Sequence, residues 1–210
     1  MKVSASLFPK KNKKAKITKK ITTDTVLIGS ALVIGLGLIL GVLSYGLNES
    51  LFSNELYTYF FEFNYNFANK SFLEISSGIL LSNMIYFAVM TVMGTSAVGS
   101  YFVMIPTLIK SLGIGTLVCY LYMSYELTGV EYCFLVLFPG KIILLFTMLI
   151  LTQTSFKMSS EIKNQLSMNT TQKIELKKFF ISIVLIFGFF VLSTLVDSLM
   201  IYFFGGLFEF

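Results

Sequence analysis

The sequence predicts an all-α integral membrane protein, a polytopic bundle of about five transmembrane helices with an amphipathic helix on its outer surface. Hydrophobic residues make up 55% of the 210-residue chain and charged residues only 13%, whereas a soluble domain carries about 25% charged residues. Mean hydropathy is +0.80. The apolar residues come in runs about 20 residues long, the length that crosses a hydrocarbon core of roughly 30 Å. We therefore expect a single membrane domain over residues 25–204, surrounded by the lipid bilayer.

Residues 1–24 are polar and basic, with seven lysines between positions 10 and 20 and one acidic residue, Asp24. Such a tail suits nucleic acid or anionic lipid, but it also sets the orientation of a membrane span. Because an apolar run follows at once, we interpret 1–24 as a disordered cytoplasmic tail and predict no nucleic-acid partner. The first span, 25–47, carries Gly37 and Gly41 on one face, where another helix can approach closely.

An acidic and aromatic segment, 48–77, follows the first span. Phe52, Phe60, Phe63 and Phe67 recur at helical spacing, and glutamates lie on another side. Aromatic rings suit the membrane–water boundary. The segment is therefore predicted to form an amphipathic helix along the outer leaflet. It serves either as an interfacial anchor or as a docking surface for an extracytoplasmic partner.

The second and third spans are predicted at 78–94 and 98–125. The connection between them is short, so the two helices should be antiparallel neighbours. Asn83 and Lys110 are polar within these apolar runs. Because hydrocarbon cannot satisfy polar groups, each of the two side chains must face protein or a water-filled cavity.

Prolines are expected to interrupt the third and fourth spans. Pro106 lacks a backbone N–H and should kink the third helix. A broken or re-entrant segment at 98–112 is the alternative for this region. The fourth span, 132–156, is predicted to be broken at Pro139 and Gly140.

The remaining segments close the predicted topology. A short acidic outer loop is expected at 126–131, a basic cytoplasmic loop at 157–178, the fifth span at 179–204 and an outer tail at 205–210. Lysine-rich segments lie on the cytoplasmic side of a membrane. The N-terminus is therefore predicted to be cytoplasmic and the C-terminus extracytoplasmic.

Two charges should lie at similar depths in neighbouring spans. Lys141 lies about nine residues below the outer face, or roughly 13 Å, and Asp197 about seven residues below it, or roughly 10 Å. Burying either charge alone costs several kcal/mol, so we expect the two side chains to pair across the fourth and fifth spans. Reversing both charges should then rescue the single substitutions. The pair acts either as a structural link between helices or as a substrate or proton site.

The sequence shows no catalytic signature. The chain has no histidine and two cysteines, Cys119 and Cys133, which lie in or beside apolar spans. The absence of histidine excludes Ser/His and Cys/His nucleophilic pairs, the HExxH metalloprotease motif and haem bound through histidine. We predict that the protein is not an enzyme and has no catalytic, cofactor-binding or metal-binding residues.

Five short motifs and an acidic residue follow one another in a set order: Leu81-Ser82-Asn83, Gly94-Thr95-Ser96-Ala97-Val98-Gly99, Ile105-Pro106-Thr107-Leu108-Ile109-Lys110, Phe138-Pro139-Gly140, Ser155-Phe156-Lys157-Met158, and Asp197 in the last span. This order resembles the stage II sporulation protein M family of bacterial membrane proteins over about residues 14–204. The chain departs from the family at Gly140-Lys141, where many members have His-Gly. It also has Asp197 where the family usually has Glu.

The resemblance implies a non-enzymatic role in engulfment of the forespore. A member of this family in spore formers lies in the septal membrane and positions partners that remodel septal peptidoglycan, the stage II sporulation proteins D and P. The segment 48–77 would be the docking surface for these partners.

A membrane subunit of a transporter, working with a cytoplasmic ATPase, is the alternative function. Proline-interrupted spans with Pro106 and Pro139 are typical of permeation pathways, as are buried charges such as Lys110, Lys141 and Asp197.

Overall fold

The computed structural model describes residues 13–47, 71–168 and 176–208. The elements in these ranges are α1 (Lys13–Leu47), α2 (Phe72–Thr95), α3 (Gly99–Phe102), α4 (Met104–Tyr132), a π-helical turn (Cys133–Leu137), α5 (Phe138–Met168), α6 (Leu176–Phe204) and a 3-10 turn (Gly205–Leu207). All regular secondary structure in the described ranges is helical, which confirms the predicted all-α class.

Four helical stretches within the described ranges are long and apolar enough to cross a membrane: Thr25–Gly46, Phe72–Thr95, Gly99–Leu166 and Leu176–Leu207. The third stretch contains 68 residues, roughly three times the length that one crossing needs. It covers both the third and the fourth predicted spans.

This long stretch turns back on itself at Glu126. Its backbone has φ 50° and ψ −124° there, a conformation that favours glycine over residues with a side chain. The two arms lie side by side in opposite directions. A Cβ atom on Gly129 would lie 2.0 Å from the carbonyl oxygen of Leu121, and further along Thr107 Oγ1 lies 2.9 Å from Thr152 Oγ1. Glu126 is therefore the apex of a helical hairpin, at the predicted outer loop.

The first helix runs parallel to the first arm of this hairpin. The Tyr45 and Tyr120 rings are 5.7 Å apart, and Gly41 meets the backbone of Gly115 about one turn earlier in both helices. A Cβ atom on Gly41 would lie 2.2 Å from the carbonyl oxygen of Leu112. The close approach predicted for the glycine face of the first span is therefore confirmed, and its partner is α4.

Helix α2 runs antiparallel to α6. The rings of Phe72 and Tyr202 are 5.9 Å apart, and about four turns further along α2 the rings of Phe87 and Phe187 are 5.4 Å apart. Together with the hairpin and the pairing of α1 with α4, these contacts build a bundle in which α2 and α5 run in one direction. Helices α1, α4 and α6 run in the opposite direction.

A capping box starts α2 six residues before the predicted span at 78. The backbone N–H of Ser71 donates to Glu74 Oε2 at 3.1 Å, and the backbone N–H of Glu74 donates to Ser71 Oγ at 3.4 Å. This reciprocal pair satisfies two N–H groups that the helix itself leaves free. The outer segment predicted at 48–77 therefore ends at Ser71, and residues 48–70 lie outside the described part of the chain.

Pro106 lies in the first turn of α4, where a missing N–H costs nothing. Its ring excludes the carbonyl of the residue four positions earlier, and α3 ends at that residue, Phe102. Val103 lies between α3 and α4, but its angles, φ −59° and ψ −21°, are helical and its N–H donates to the carbonyl of Gly99. The kink expected in the third span therefore stays a prediction.

The fourth span is not broken at Pro139 and Gly140, contrary to the prediction. The backbone instead widens into a π-helical turn just before the proline, in which the N–H of Phe138 donates to the carbonyl of Cys133. This turn accommodates the proline ring while the chain stays helical, as π-bulges do within α-helices. Regular α-helix then continues to Met168.

Two predicted polar segments are partly helical. Residues 13–24 continue α1, so the disordered tail predicted there is wrong for this part. Its sequence has no glycine or proline to stop a helix that starts at Lys13. Likewise, α5 continues through residues 157–168 of the predicted cytoplasmic loop.

Two apolar clusters fill the bundle. One lies toward the hairpin apex and contains Ile75, Ile79, Leu117, Leu121, Tyr132, Cys133, Val136 and Ile201. The other lies toward the opposite end and contains Tyr86, Met90, Leu144, Met148, Leu151, Met158, Phe179, Ile183, Ile186 and Phe190. Residues between the two clusters are polar, and they form the candidate site.

Candidate functional site: a polar layer within the bundle

A layer of buried polar groups separates the two apolar clusters. We call it the polar layer. It consists of Asn83 from α2, Gly140 and Lys141 from α5, and Ser193, Thr194 and Asp197 from α6. The four polar residues other than Lys141 are at most 2% exposed, and Lys141 is 9% exposed. Three helices therefore meet at a layer whose polar side chains are buried within the bundle.

An ion pair joins α5 to α6 within the polar layer. Lys141 Nζ lies 3.1 Å from Asp197 Oδ2, and the Asp197 side chain is 1% exposed. The pairing predicted from depth along the two spans is confirmed. Because opposite charges at contact distance offset part of the cost of burial, the pair can persist inside an apolar bundle.

Gly140 allows α6 to come close enough for this pair to form. A Cβ atom at Gly140 would lie 1.8 Å from Asp197 Oδ1 and 2.9 Å from the backbone nitrogen of Asp197. The hydroxyl of Ser193 also donates to the carbonyl of Gly140 at 2.9 Å. The glycine that follows Pro139 therefore serves helix packing, since the position has no room for a side chain.

Asn83 connects α2 to the same layer. Its Nδ2 donates to Thr194 Oγ1 at 3.3 Å, and the Thr194 hydroxyl donates to the carbonyl of Phe190 at 3.0 Å. Asn83 Oδ1 has no hydrogen-bond partner among the described residues. An unsatisfied buried acceptor costs free energy, and the site is therefore polar but incompletely paired.

Lys110 lies in a separate polar contact with α2. Its Nζ donates to Ser82 Oγ at 3.2 Å and lies 4.9 Å from the centre of the Tyr86 ring. The residue is 3% exposed, so its charge is held among protein groups. The prediction that Lys110 must face protein or a water-filled cavity agrees with these contacts.

A second set of hydroxyls fixes the other end of the bundle. The Ser159 hydroxyl on α5 donates to the carbonyl of Ser96, and the backbone N–H of Ser100 donates to Ser159 Oγ, each at 2.6 Å. Gly94 packs against Ser155, since a Cβ atom there would lie 2.9 Å from the Ser155 side chain. These contacts hold the short connection between α2 and α3 against α5.

Sequence reasoning missed the hydroxyl partners. Ser193 and Thr194 precede Asp197 by four and three residues, so all three share a helix face. This spacing of two hydroxyl residues before a buried aspartate could have predicted that they belong to the same site. No such signal existed for Ser159, because its partners are backbone groups of a connection far away in the sequence.

The site residues predicted from the sequence separate into three groups. Asn83, Gly140, Lys141 and Asp197 meet in the polar layer. Pro106, Lys110 and Pro139 lie elsewhere in the described helices. Phe52, Phe60, Phe63 and Phe67 lie outside the described residues. In the described part of the chain, no group of three or more Cys, Asp or Glu residues is placed to hold a metal ion.

Comparison with known proteins identifies the family. The family model of stage II sporulation protein M matches residues 30–200. The chain belongs to the stage II sporulation protein M family. The match covers all five predicted spans in whole or in part, and it includes every residue of the polar layer. No curated protein and no solved structure matches the chain.

The family match and the four long apolar helices together indicate a membrane protein of a sporulation family. The family match supports the resemblance that the sequence motifs carry. The matched region includes Gly94 and Gly140, which the structure shows to be packing positions.

Proposed function

We propose that the protein is a non-enzymatic membrane scaffold that positions peptidoglycan-remodelling proteins in the septal membrane during forespore engulfment. The observation that carries the proposal is the family match over residues 30–200. The partners we propose are the stage II sporulation proteins D and P. A scaffold needs a rigid body held in the bilayer. Helices α2, α5 and α6, joined by the ion pair and hydrogen bonds of the polar layer, supply one.

The proposed topology has five crossings, by α1, α2, the two arms of the Glu126 hairpin and α6. The directions of these helices alternate along the chain, which supports five successive crossings. The lysine-rich ends of α1 and α5 lie on the cytoplasmic side. The hairpin apex, the N-terminus of α2 and the C-terminus of α6 then face outward.

Deletion of the gene is expected to stop sporulation at the septal stage. Cells should form a flat septum and fail to engulf the forespore when they are imaged with a membrane dye. Re-expression of the intact chain is the control and should restore engulfment. Normal engulfment in the deletion strain would refute the septal role.

The outer segment is expected to provide the docking surface. Deleting residues 50–69 preserves the capping box of Ser71 and Glu74, so α2 can still start correctly. The shortened protein should reach the membrane and show unchanged thermal stability in detergent, but should lose co-purification of the stage II sporulation proteins D and P. The control is Phe203→Ser, which removes an aromatic ring that is 66% exposed on α6. Unchanged co-purification after the deletion would exclude this surface.

A transporter subunit remains the second candidate, because polar side chains recur along the bundle interior. Lys141 and Asp197, Asn83, and Lys110 are all buried within apolar helices, and such residues line ion or substrate paths in transporters. This function requires a cytoplasmic ATPase to co-purify with the chain. Co-purification of such an ATPase, with normal engulfment in the deletion strain, would favour the transporter over the scaffold.

A further inference from the structure

A line of buried polar side chains leads from one end of the bundle toward its middle. It lies between α2, α4 and α5, and each of its members is at most 3% exposed. We call it the interior line, and it consists of Asn83 from α2, Thr107 and Lys110 from α4, and Thr152, Ser155 and Ser159 from α5. We propose that the interior line binds a file of water molecules, which enters from the cytoplasmic end of the bundle and reaches Lys110 and Asn83.

Helix spacing and one direct contact join the first members of the interior line. Ser159, Ser155 and Thr152 are four and three residues apart, so they share one face of α5. Thr152 Oγ1 lies 2.9 Å from Thr107 Oγ1. The line therefore passes from α5 to α4 through two hydroxyl groups in contact.

Lys110 extends the interior line from α4 to α2. It follows Thr107 by three residues, so the two side chains share one face of α4. Its Nζ donates to Ser82 Oγ at 3.2 Å, and Ser82 immediately precedes Asn83 on α2. The line is therefore continuous from Ser159 to Asn83, and it contains a buried ammonium group.

Two polar atoms in the interior line require a partner that the described residues do not supply. Ser155 Oγ and Asn83 Oδ1 are buried, and neither has a hydrogen-bond partner within the described ranges. Leaving such atoms dry costs free energy. Buried polar groups that protein does not satisfy are usually bonded to ordered water. Water at both positions would satisfy them.

Ser155 also departs from the hydrogen-bond pattern of its own helix. The hydroxyls of Thr147, Thr152 and Thr154 on α5 each donate to the carbonyl four residues earlier. The Ser155 hydroxyl makes no such bond, although Leu151 lies four residues before it. Its hydrogen-bonding capacity is therefore left for a ligand in the interior line.

The hydrogen-bond and charge requirements of the interior line favour water over an ion. Asn83 Nδ2 donates to Thr194 Oγ1, and the Thr194 hydroxyl donates to a backbone carbonyl. Asn83 Oδ1 therefore needs a donor from elsewhere. A halide ion has no proton to donate to this oxygen, and the Lys110 ammonium repels a metal cation. Water donates to a carbonyl oxygen and also accepts from an ammonium, so it meets both requirements.

The interior line is open at one end and closed at the other. At the open end, the Ser159 hydroxyl donates to the carbonyl of Ser96, and Ser96 is exposed. At the closed end, the apolar cluster near the hairpin apex fills the space between the same helices with residues such as Ile79, Leu117 and Val136. The open end is cytoplasmic in the proposed topology, so the direction of entry rests on that topology.

Cysteine accessibility tests whether water fills the interior line. The full chain carries Cys119→Ser and Cys133→Ala, together with either Ser155→Cys or Leu151→Cys. Ser155 and Leu151 are both 0% exposed on α5, but Leu151 belongs to an apolar cluster and is the matched control. A methanethiosulfonate reacts with the thiolate, which forms in water. In inside-out vesicles treated with aminoethyl methanethiosulfonate, Ser155→Cys should therefore react at least about tenfold faster than Leu151→Cys.

Free cysteine inside the vesicles removes reagent that crosses the bilayer. Equal rates for Ser155→Cys and Leu151→Cys would overturn the proposal that the interior line holds water. A faster reaction of Ser155→Cys in right-side-out vesicles than in inside-out ones would overturn the cytoplasmic opening and the proposed topology. Neither result depends on whether the gene deletion blocks engulfment, so the two proposals fail separately.

The stability of Ser155→Ala provides a second test, which needs no reagent. Its control is Ser77→Ala on α2, which removes an exposed hydroxyl bonded within its own helix and gains the same helix propensity. If water bonds to Ser155, its loss should lower the midpoint of thermal unfolding by about 2 °C or more relative to Ser77→Ala. A midpoint above that of Ser77→Ala would show that the hydroxyl faces dry protein, and it would refute the proposal.

Discussion

Asp197→Ala is expected to destabilise the folded protein by about 3–5 kcal/mol, the cost of leaving one member of a buried ion pair without its partner. Lys141 Nζ lies 3.1 Å from Asp197 Oδ2, and the aspartate side chain is 1% exposed. Removing the carboxylate leaves the ammonium between two apolar clusters, where hydration cannot replace it. The loss is measured as a lower midpoint of thermal unfolding in detergent, together with a lower amount of protein in the membrane.

Removing both charges should cost much less than removing one. The double variant Lys141→Met with Asp197→Asn leaves no uncompensated charge and nearly conserves volume, so most of the stability should return. The charge reversal Lys141→Asp with Asp197→Lys should also exceed either single variant. Its recovery should be partial, because the larger lysine at 197 must fit against Gly140. Double variants no more stable than the single ones would refute a structural role for the pair.

The same variants separate structure from transport. If the pair only links α5 to α6, the neutral double variant should support engulfment in cells as well as the wild-type chain does. If the pair carries a proton or a substrate, the neutral double variant should be folded and inactive. Thermal stability and engulfment therefore have to be measured on the same variant.

Patterns within single helices allowed most of the fold to be predicted. Apolar runs located α1, α2, both arms of the hairpin and α6, because length and hydropathy are local properties of the sequence. Depth along two spans was enough to pair Lys141 with Asp197. The glycine face of α1 predicted a close contact, although the sequence did not show that α4 would be the partner.

Predictions failed where the chain adopts a backbone conformation that the residue types do not reveal. Pro139 was expected to break its helix, but a π-helical turn absorbs the missing hydrogen bond and the chain stays helical. The lysines at the start of α1 suggested disorder, yet nothing in that stretch stops a helix. The hairpin apex lies at the predicted outer loop, but the sequence did not show that the turn would be confined to Glu126, because a residue with a side chain takes a backbone conformation there that favours glycine.

Gly140→Ala is expected to destabilise the protein by up to about 3 kcal/mol, the upper range for forcing extra volume into a packed interior. The new Cβ atom would lie 1.8 Å from Asp197 Oδ1 and 2.4 Å from its Cγ. The aspartate cannot rotate away without losing Lys141, so α5 and α6 must separate. Thermal unfolding in detergent measures the change, and Gly188→Ala is the control. A Cβ atom on Gly188 meets nothing within 4 Å, so that variant should be neutral or gain up to about 1 kcal/mol from helix propensity.

A double-mutant cycle identifies the source of the cost at Gly140. Removing the Asp197 side chain eliminates the two closest contacts of the new Cβ atom and leaves the one at 2.9 Å from the backbone nitrogen of residue 197. Gly140→Ala should therefore cost at least about 1 kcal/mol less in the Asp197→Ala background than in the wild-type chain, a coupling typical of residues in contact. Equal costs in both backgrounds would place the constraint in the backbone of α6 and not in the aspartate. A coupling of the expected size would show that Gly140 is required so that α6 can bring Asp197 to Lys141.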